Sequence, residues 1–446
     1  MAVIRVHGLP FLTLFLCSFV LSDYTVPEVA FEALEPRGLR ISIPAEPKVQ
    51  FFAFHGKLNQ PIGLTEPGDF NEDVTRPENG RFTYFNPNIQ LKPGDVINYW
   101  VFVQHDQLGY RRDQLKWTVN ELTKQKVIDR DPKCLETPTT SSDRSVICRG
   151  EVLFEHRFIG SELNESVWLW EQYIPVGPDF EFVVYKKADD VTFLSGNLLH
   201  IRPKVTDNKA DLIMSQDVSS GCTRTSPNEC SREFFGIYQN PVTSGRIVAK
   251  NAFAFGKVEV RAKLPKGDWI YPEIYLEDIQ DPKRKIWIAY ARGNELLTGG
   301  NGDDLGGKLL FGGPVVSPLE PNRSRYLSSY RNAQPLANEM HTYKLTWTEA
   351  KMELHLDDLK YGEIPYQVMQ ESEFNKPRMV RLVVGVGVGG ISDFPDGFKS
   401  GTNPKPWRNS ERSQVKKFFD SRSTWMETWN PENAQLVVEY VKVTAV

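Results

Sequence analysis

Apolar and polar residues alternate along much of the chain. Leu39, Ile41 and Ile43 are separated by Arg40 and Ser42, the period-two pattern of a half-buried strand. Residues 49–55 and 96–104 are rich in β-branched and aromatic side chains. Pro-Gly at 67–68, Asn-Gly at 79–80 and Pro-Gly at 93–94 supply turns between them. Tyr99 and Trp100 are neighbours on one apolar strand, so one of them faces the core. Short strands at this spacing predict a small β-sandwich over residues 23–124.

Residues 125–150 lose this periodicity. Asp131-Pro132 and the polar run 138–143 predict a linker, looped by its own disulfide. From 151 to 446 strand patterns return at 152–158, 198–201, 255–264, 286–291, 343–347, 352–356, 380–388 and 436–443. No alternating helical period accompanies them, which predicts a second, larger sandwich or jelly roll. Glycines at 385, 387, 389 and 390 resemble a phosphate loop only superficially. No Lys-Ser/Thr follows them, so they read as a strand that permits close packing, and no cofactor is expected.

Residues 1–22 read as a secretory signal, with Arg5 ahead of an apolar run at 9–21. That run is shorter than the about 20 residues of a spanning helix, and no later stretch reaches that length. An extracellular chain beginning at Asp23 is expected. Removal of Cys17 leaves Cys134, Cys148, Cys222 and Cys230. Three pairings are possible; the local pairs, 134 with 148 and 222 with 230, close short loops and are the expected ones. Close C-x-x-C spacing and a nearby His pair are both missing, which argues against zinc. The triplets at Asn164 and Asn322 are glycosylation acceptors in the secretory route.

Charge narrows the ligand class. The 53 Lys and Arg against 57 Asp and Glu give a net charge of −4, which argues against nucleic acid and anionic membranes. The 10 Trp, 16 Tyr and 26 Phe supply flat faces for β cores or for sugar rings.

The stretch 256–275, GKVEVRAKLPKGDWIYPEIY, resembles glycoside hydrolase family 16 around its sugar cleft. Gly-rich 386–390, Phe394-Pro395-Asp396-Gly397, Pro406-Trp407, Trp425, Trp429 and the closing 437–443 resemble the same family. The resemblance implies a concanavalin-like jelly roll. It also implies a retaining β-glucanase signature, E-I-D-I-x-E followed by S-R-G-N. Arg292-Gly293-Asn294 fixes the register, and at the three acidic positions stand Lys285, Trp287 and Tyr290. Retention needs two carboxyls about 5–5.5 Å apart. A lysine forms no glycosyl ester, and a phenol with a reference pKa of about 10 is a poor acid toward a leaving sugar. On an extended strand Glu273 and Glu277 lie about 13 Å apart, too far to substitute. Catalysis is therefore not expected. Trp269, Tyr271, Tyr275, Trp287 and Tyr290 either line a sugar groove or fill it.

In the first domain AFHGKLN at 53–59, NGRFT at 79–83, LKPGD at 91–95 and LGYR at 108–111 resemble carbohydrate-binding module family 39. That is the immunoglobulin-like N-terminal module of insect β-1,3-glucan recognition proteins, also called Gram-negative-binding proteins. In the family a Trp follows the Asn-Gly-Arg turn; here it is Phe82. Candidate sugar contacts are Asp73, Arg81, Phe82, Tyr84, Tyr110 and Arg111. The resemblance implies a secreted immune sensor that binds β-1,3-glucan and other microbial surface glycans. It further implies that the sensor promotes a serine-protease cascade toward Toll signalling or melanisation. An active glucanase, or a lectin using the altered second groove, are the alternatives.

Overall fold

The computed structural model describes residues 24–446, apart from 36, 76, 78–79, 87–88, 125–133, 145, 178 and 234. The expected signal at 1–22 and Asn79 lie outside the described residues. The chain divides into two compact units, 1–129 and 130–446.

The first unit contains strands β1 (Ala30–Glu35), β2 (Leu39–Pro44), β3 (Val49–Leu58), β4 (Phe70–Val74), β5 (Arg81–Asn86), β6 (Val96–His105), β7 (Leu108–Thr118) and β8 (Thr123–Lys124). They form two four-stranded sheets, ordered β5-β2-β1-β8 and β4-β3-β6-β7. Leu39, Ile41 and Ile43 are fully buried, as their alternation predicts, and pack with Phe52, Phe54, Ile97, Tyr99, Val101 and Val103. The β6–β7 hairpin turns on Asp106 and Gln107, with φ of 51° and 66°. Positive φ at both central positions matches the twist of the flanking strands.

The second unit is also a β-sandwich. One sheet runs in the order Thr192–Ser195, Leu198–Ile201, Leu436–Thr444, Gly256–Lys263, His341–Trp347, Met352–Leu356 and Leu359–Ile364, with Val152–Arg157 also paired to Leu436–Thr444. The other runs Trp168–Trp170, Arg246–Ala249, Val380–Val388, Ile270–Asp278, Lys285–Tyr290, Leu309–Val315 and Ser328–Arg331. One continuous apolar cluster joins them. The strands expected at 198–201, 352–356 and 380–388 have those bounds. Both expected disulfides, Cys134–Cys148 and Cys222–Cys230, are present.

The linker is shorter than expected. Thr140–Ser141 pairs with Phe253–Ala254, and Gly150 N donates to Ala445 O at 3.0 Å. The stretch from Cys134 onward therefore belongs to the second sandwich, where backbone groups of its polar loop find ladder partners.

Candidate functional site

Alternation decides which side chains the first unit offers to a ligand. On β6, Ile97, Tyr99, Val101 and Val103 turn inward, leaving Asn98, Trp100, Phe102 and Gln104 on the outer face of the β4-β3-β6-β7 sheet. Tyr99 is thus the core member of its pair. The ladder places Asp73 opposite Ala53, Ala53 opposite Phe102, and Phe102 opposite Arg111. One step along, His55 lies opposite Trp100.

These residues form a fixed ridge. The His55 and Trp100 rings stack with centroids 3.7 Å apart at 10°. The Arg111 guanidinium carbon lies 4.0 Å from the Trp100 ring centre. Trp100 Nε1 donates to Glu66 O at 2.9 Å, Arg111 Nε donates to Asp113 Oδ1 at 2.5 Å, and Arg111 also donates to Leu64 O. Burial lowers the His55 pKa, opposed by the hydrogen bond that Pro67 O accepts from the ring. Phe51 and Phe102 stack beside the ridge at 5.5 Å. Guanidinium N–H groups and carboxylates suit paired hydroxyls, and aromatic rings suit the apolar faces of pyranoses.

Of the six candidates from sequence, Asp73 and Arg111 share this face. Arg81 lies on the other sheet, where Nε donates to Ser42 Oγ at 2.9 Å. Tyr110 packs edge-on against Tyr24 at 5.0 Å. Phe82 and Tyr84 are corrections: they are 1% and 5% exposed, paired across the ladder with Ile43 and Ile41. A ring enclosed by the sandwich core presents no face to a sugar. His55, Trp100 and Phe102 were missed, although the inward alternation of β6 marks Trp100 and Phe102 as outward.

Lys285, Trp287 and Tyr290, the residues expected at the signature's acidic positions, lie on the strand Lys285–Tyr290 of the second unit. Tyr275 pairs with Trp287 but Ile274 pairs with Ala289, so Ile288 is an inserted bulge residue. Without it, 287 and 290 would point to opposite faces; with it, their rings stack at 3.9 Å and 20°. Both are buried, as are Trp269, Tyr271 and Tyr275, so the aromatics expected either to line a groove or to fill it do the latter. The Arg323 guanidinium carbon sits 4.5 Å above Trp287, and Arg323 forms a buried ion pair with Asp393. Burial raises the Tyr290 pKa further above its ordinary value.

Carboxylates remain, but they are engaged. Buried Arg246 meets Glu171 at 2.6 Å, Glu273 at 3.5 Å and Glu277 at 2.8 Å. The strand spacing of Glu273 and Glu277 is therefore no guide to their carboxyls, which converge on one guanidinium. Glu181 accepts from Tyr271 Oη at 2.8 Å and Tyr185 Oη at 3.0 Å. Burial, with Glu273 and Asp179 nearby, pushes the Glu181 carboxyl up to about 8. Gly385 and Gly387 make room for this cluster: a Cβ at 387 would lie 2.3 Å from the Tyr271 ring, and one at 385 would lie 2.8 Å from Glu273 Oε2. Lys285 contributes a cation over the Tyr275 ring at 4.4 Å.

Asn164 and Asn322 are both exposed. Asn164 Oδ1 accepts from Ser166 Oγ at 2.7 Å, whereas Ser324 Oγ donates to Glu320 at 2.7 Å. Among the described residues no group of His, Cys, Asp and Glu could hold a metal, and no helix is long and apolar enough to cross a membrane.

The family model CBM39, described as "Carbohydrate binding domain (family 32)", matches residues 25–141. The chain is 35% identical to the beta-1,3-glucan-binding protein of Hyphantria cunea, over 95% of this chain and 96% of that one. It is 30% identical to Gram-negative bacteria-binding protein 1 of Drosophila melanogaster, over 95% and 96%. Among solved structures, the laminarinase of Rhodothermus marinus aligns at 17% identity over 67% of this chain and 98% of that one, with a TM-score of 0.45. At this identity and coverage with the two curated relatives, the chain belongs to the family of β-1,3-glucan-binding and Gram-negative bacteria-binding proteins.

Proposed function

We propose that this protein is a secreted recognition protein that binds β-1,3-glucan through its first unit and does not cleave it. The observation that carries the reading is full-length similarity to a protein named for β-1,3-glucan binding. Its chemical support is the trio Lys285, Trp287 and Tyr290 in a filled cleft. The ligand surface is the outer face of β4-β3-β6-β7, with Asp73 and Arg111 addressing hydroxyls and Trp100 and Phe102 addressing ring faces. A repeating polymer lets many weak contacts sum to avidity and brings bound copies together. Clustering of this kind would promote an extracellular serine-protease cascade, toward Toll signalling or melanisation, and bacterial surface glycans are further ligands. Residues 1–22 direct export, and Asn164 and Asn322 are the glycan acceptors.

The test is co-sedimentation of the full chain with curdlan beside Trp100→Ala and Arg111→Ala. The expected result is binding by the parent chain and about ten- to hundredfold weaker binding by either variant, from 1–3 kcal/mol per lost stacking or hydrogen-bonding contact. Equal binding by all three would remove the site from this face; no binding by the parent chain would remove the function.

A further inference from the structure

One excursion of the second unit holds large apolar side chains in water. Ile213, Met214, Phe235 and Ile237 are 50%, 60%, 81% and 50% exposed. They belong to two neighbouring runs of chain. Gln216–Asp217 pairs antiparallel with Ser231–Arg232, and Gln239 N donates to Leu212 O at 2.9 Å. Residues 213–214 and 235–237 lie between these two ties.

The excursion is fastened to the sandwich. The Cys222–Cys230 disulfide closes its far end. Arg224 Nη1 donates to Glu171 at 2.6 Å, and Arg232 Nη2 donates to Pro175 O at 3.1 Å. Gly236, with φ of +80°, turns the chain between Phe235 and Ile237. Apolar side chains grouped and held outward in this way mark a contact surface, and fixing them beforehand lowers the entropy cost of docking.

The rim indicates the occupant. Asp211, Asp217 and Glu233 are exposed and lie two or three residues along the chain from Ile213, Met214 and Phe235. The first two accept hydrogen bonds from Thr206, Asn208 and Ser219, and neighbouring Lys209 pairs instead with Asp420 at 3.2 Å. Among the described residues none of the three acids forms an ion pair. A second copy would set these acids against themselves, and an anionic bilayer would meet the same repulsion. We propose that this face docks another protein through a cationic amphipathic surface, apolar anchors ringed by Lys or Arg.

The test uses the full chain and two fluorescein-labelled helical peptides of alternating Leu/Lys and Leu/Glu faces, read by anisotropy. The Leu/Lys peptide should bind, more weakly as salt rises, and the Leu/Glu peptide should not. Phe235→Ser with Ile237→Ser should weaken binding about tenfold or more. Asp211→Lys with Glu233→Lys, confined to exposed residues, should weaken it similarly and flatten the salt dependence. Equal Leu/Lys binding by both variants would overturn the proposal. So would a dimer in sedimentation, or attachment to phosphatidylserine vesicles, that Phe235→Ser with Ile237→Ser abolishes.

Discussion

Glu181→Gln should make the second unit less sensitive to pH. In the folded chain the Glu181 carboxyl is enclosed with Tyr185 and Tyr271, and its pKa is pushed up to about 8 by burial and by Glu273 and Asp179. In the unfolded chain it titrates near the ordinary value of about 4.3. The folded state therefore binds the extra proton between these values. Stability contributed by that proton is full below the unfolded pKa and is lost as pH rises toward the folded one. Between pH 5 and pH 7.5 the loss from this single group is about 3 kcal/mol. In a unit of this size that corresponds to roughly 5 °C in Tm. Glutamine keeps the shape and removes the titration. Calorimetry of full-length parent and variant at the two pH values should show the variant gaining stability relative to the parent as pH rises. The comparison matters because other groups titrate in the same range; burial lowers the His156 pKa, for example. Parallel pH dependences, or relative loss by the variant at pH 7.5, would refute the assignment of a buried, protonated Glu181.

Further outcomes follow from the same contacts. Arg246→Met leaves Glu171, Glu273 and Glu277 facing one another without their shared cation; thermal unfolding should show a loss of about 3–5 kcal/mol. Phe82→Ala opens a cavity in the first core and should cost about 3–5 kcal/mol in urea titration, with any loss of glucan binding tracking unfolding. Trp100→Ala, at a half-exposed site, should instead reduce curdlan binding while the first unit's urea midpoint changes little. Lys285→Glu, Trp287→Asp and Tyr290→Glu together should yield no laminarin hydrolysis, because Arg323 and Asp393 still occupy the space above the strand.

How much of this was readable in the sequence depends on burial symmetry. In β2 and β6 one face is buried and one is not, so alternation alone assigns Ile41 inward and Trp100 outward. β5 shows the limit: Arg-Phe-Thr-Tyr alternates, yet which phase faces inward depends on pairing with Ile41 and Ile43. A turn motif beside it drew Phe82 into the candidate site. On Ile270–Asp278 nearly every residue is buried, so no polar phase marks which way its aromatics face. The bulge at Ile288 adds a second obstacle, since it brings residues three apart onto one face. The Arg246 hub joins groups from three separated strands or loops, and nothing local in the sequence announces it.

The central claim is recognition without cleavage. The most direct measurement is prolonged incubation of the purified full chain with laminarin, with released oligosaccharides resolved by anion-exchange chromatography and bound protein measured on curdlan in the same preparation. The account predicts protein retained on the insoluble glucan and oligosaccharide release no greater than in a protein-free blank. Release well above that blank would contradict it.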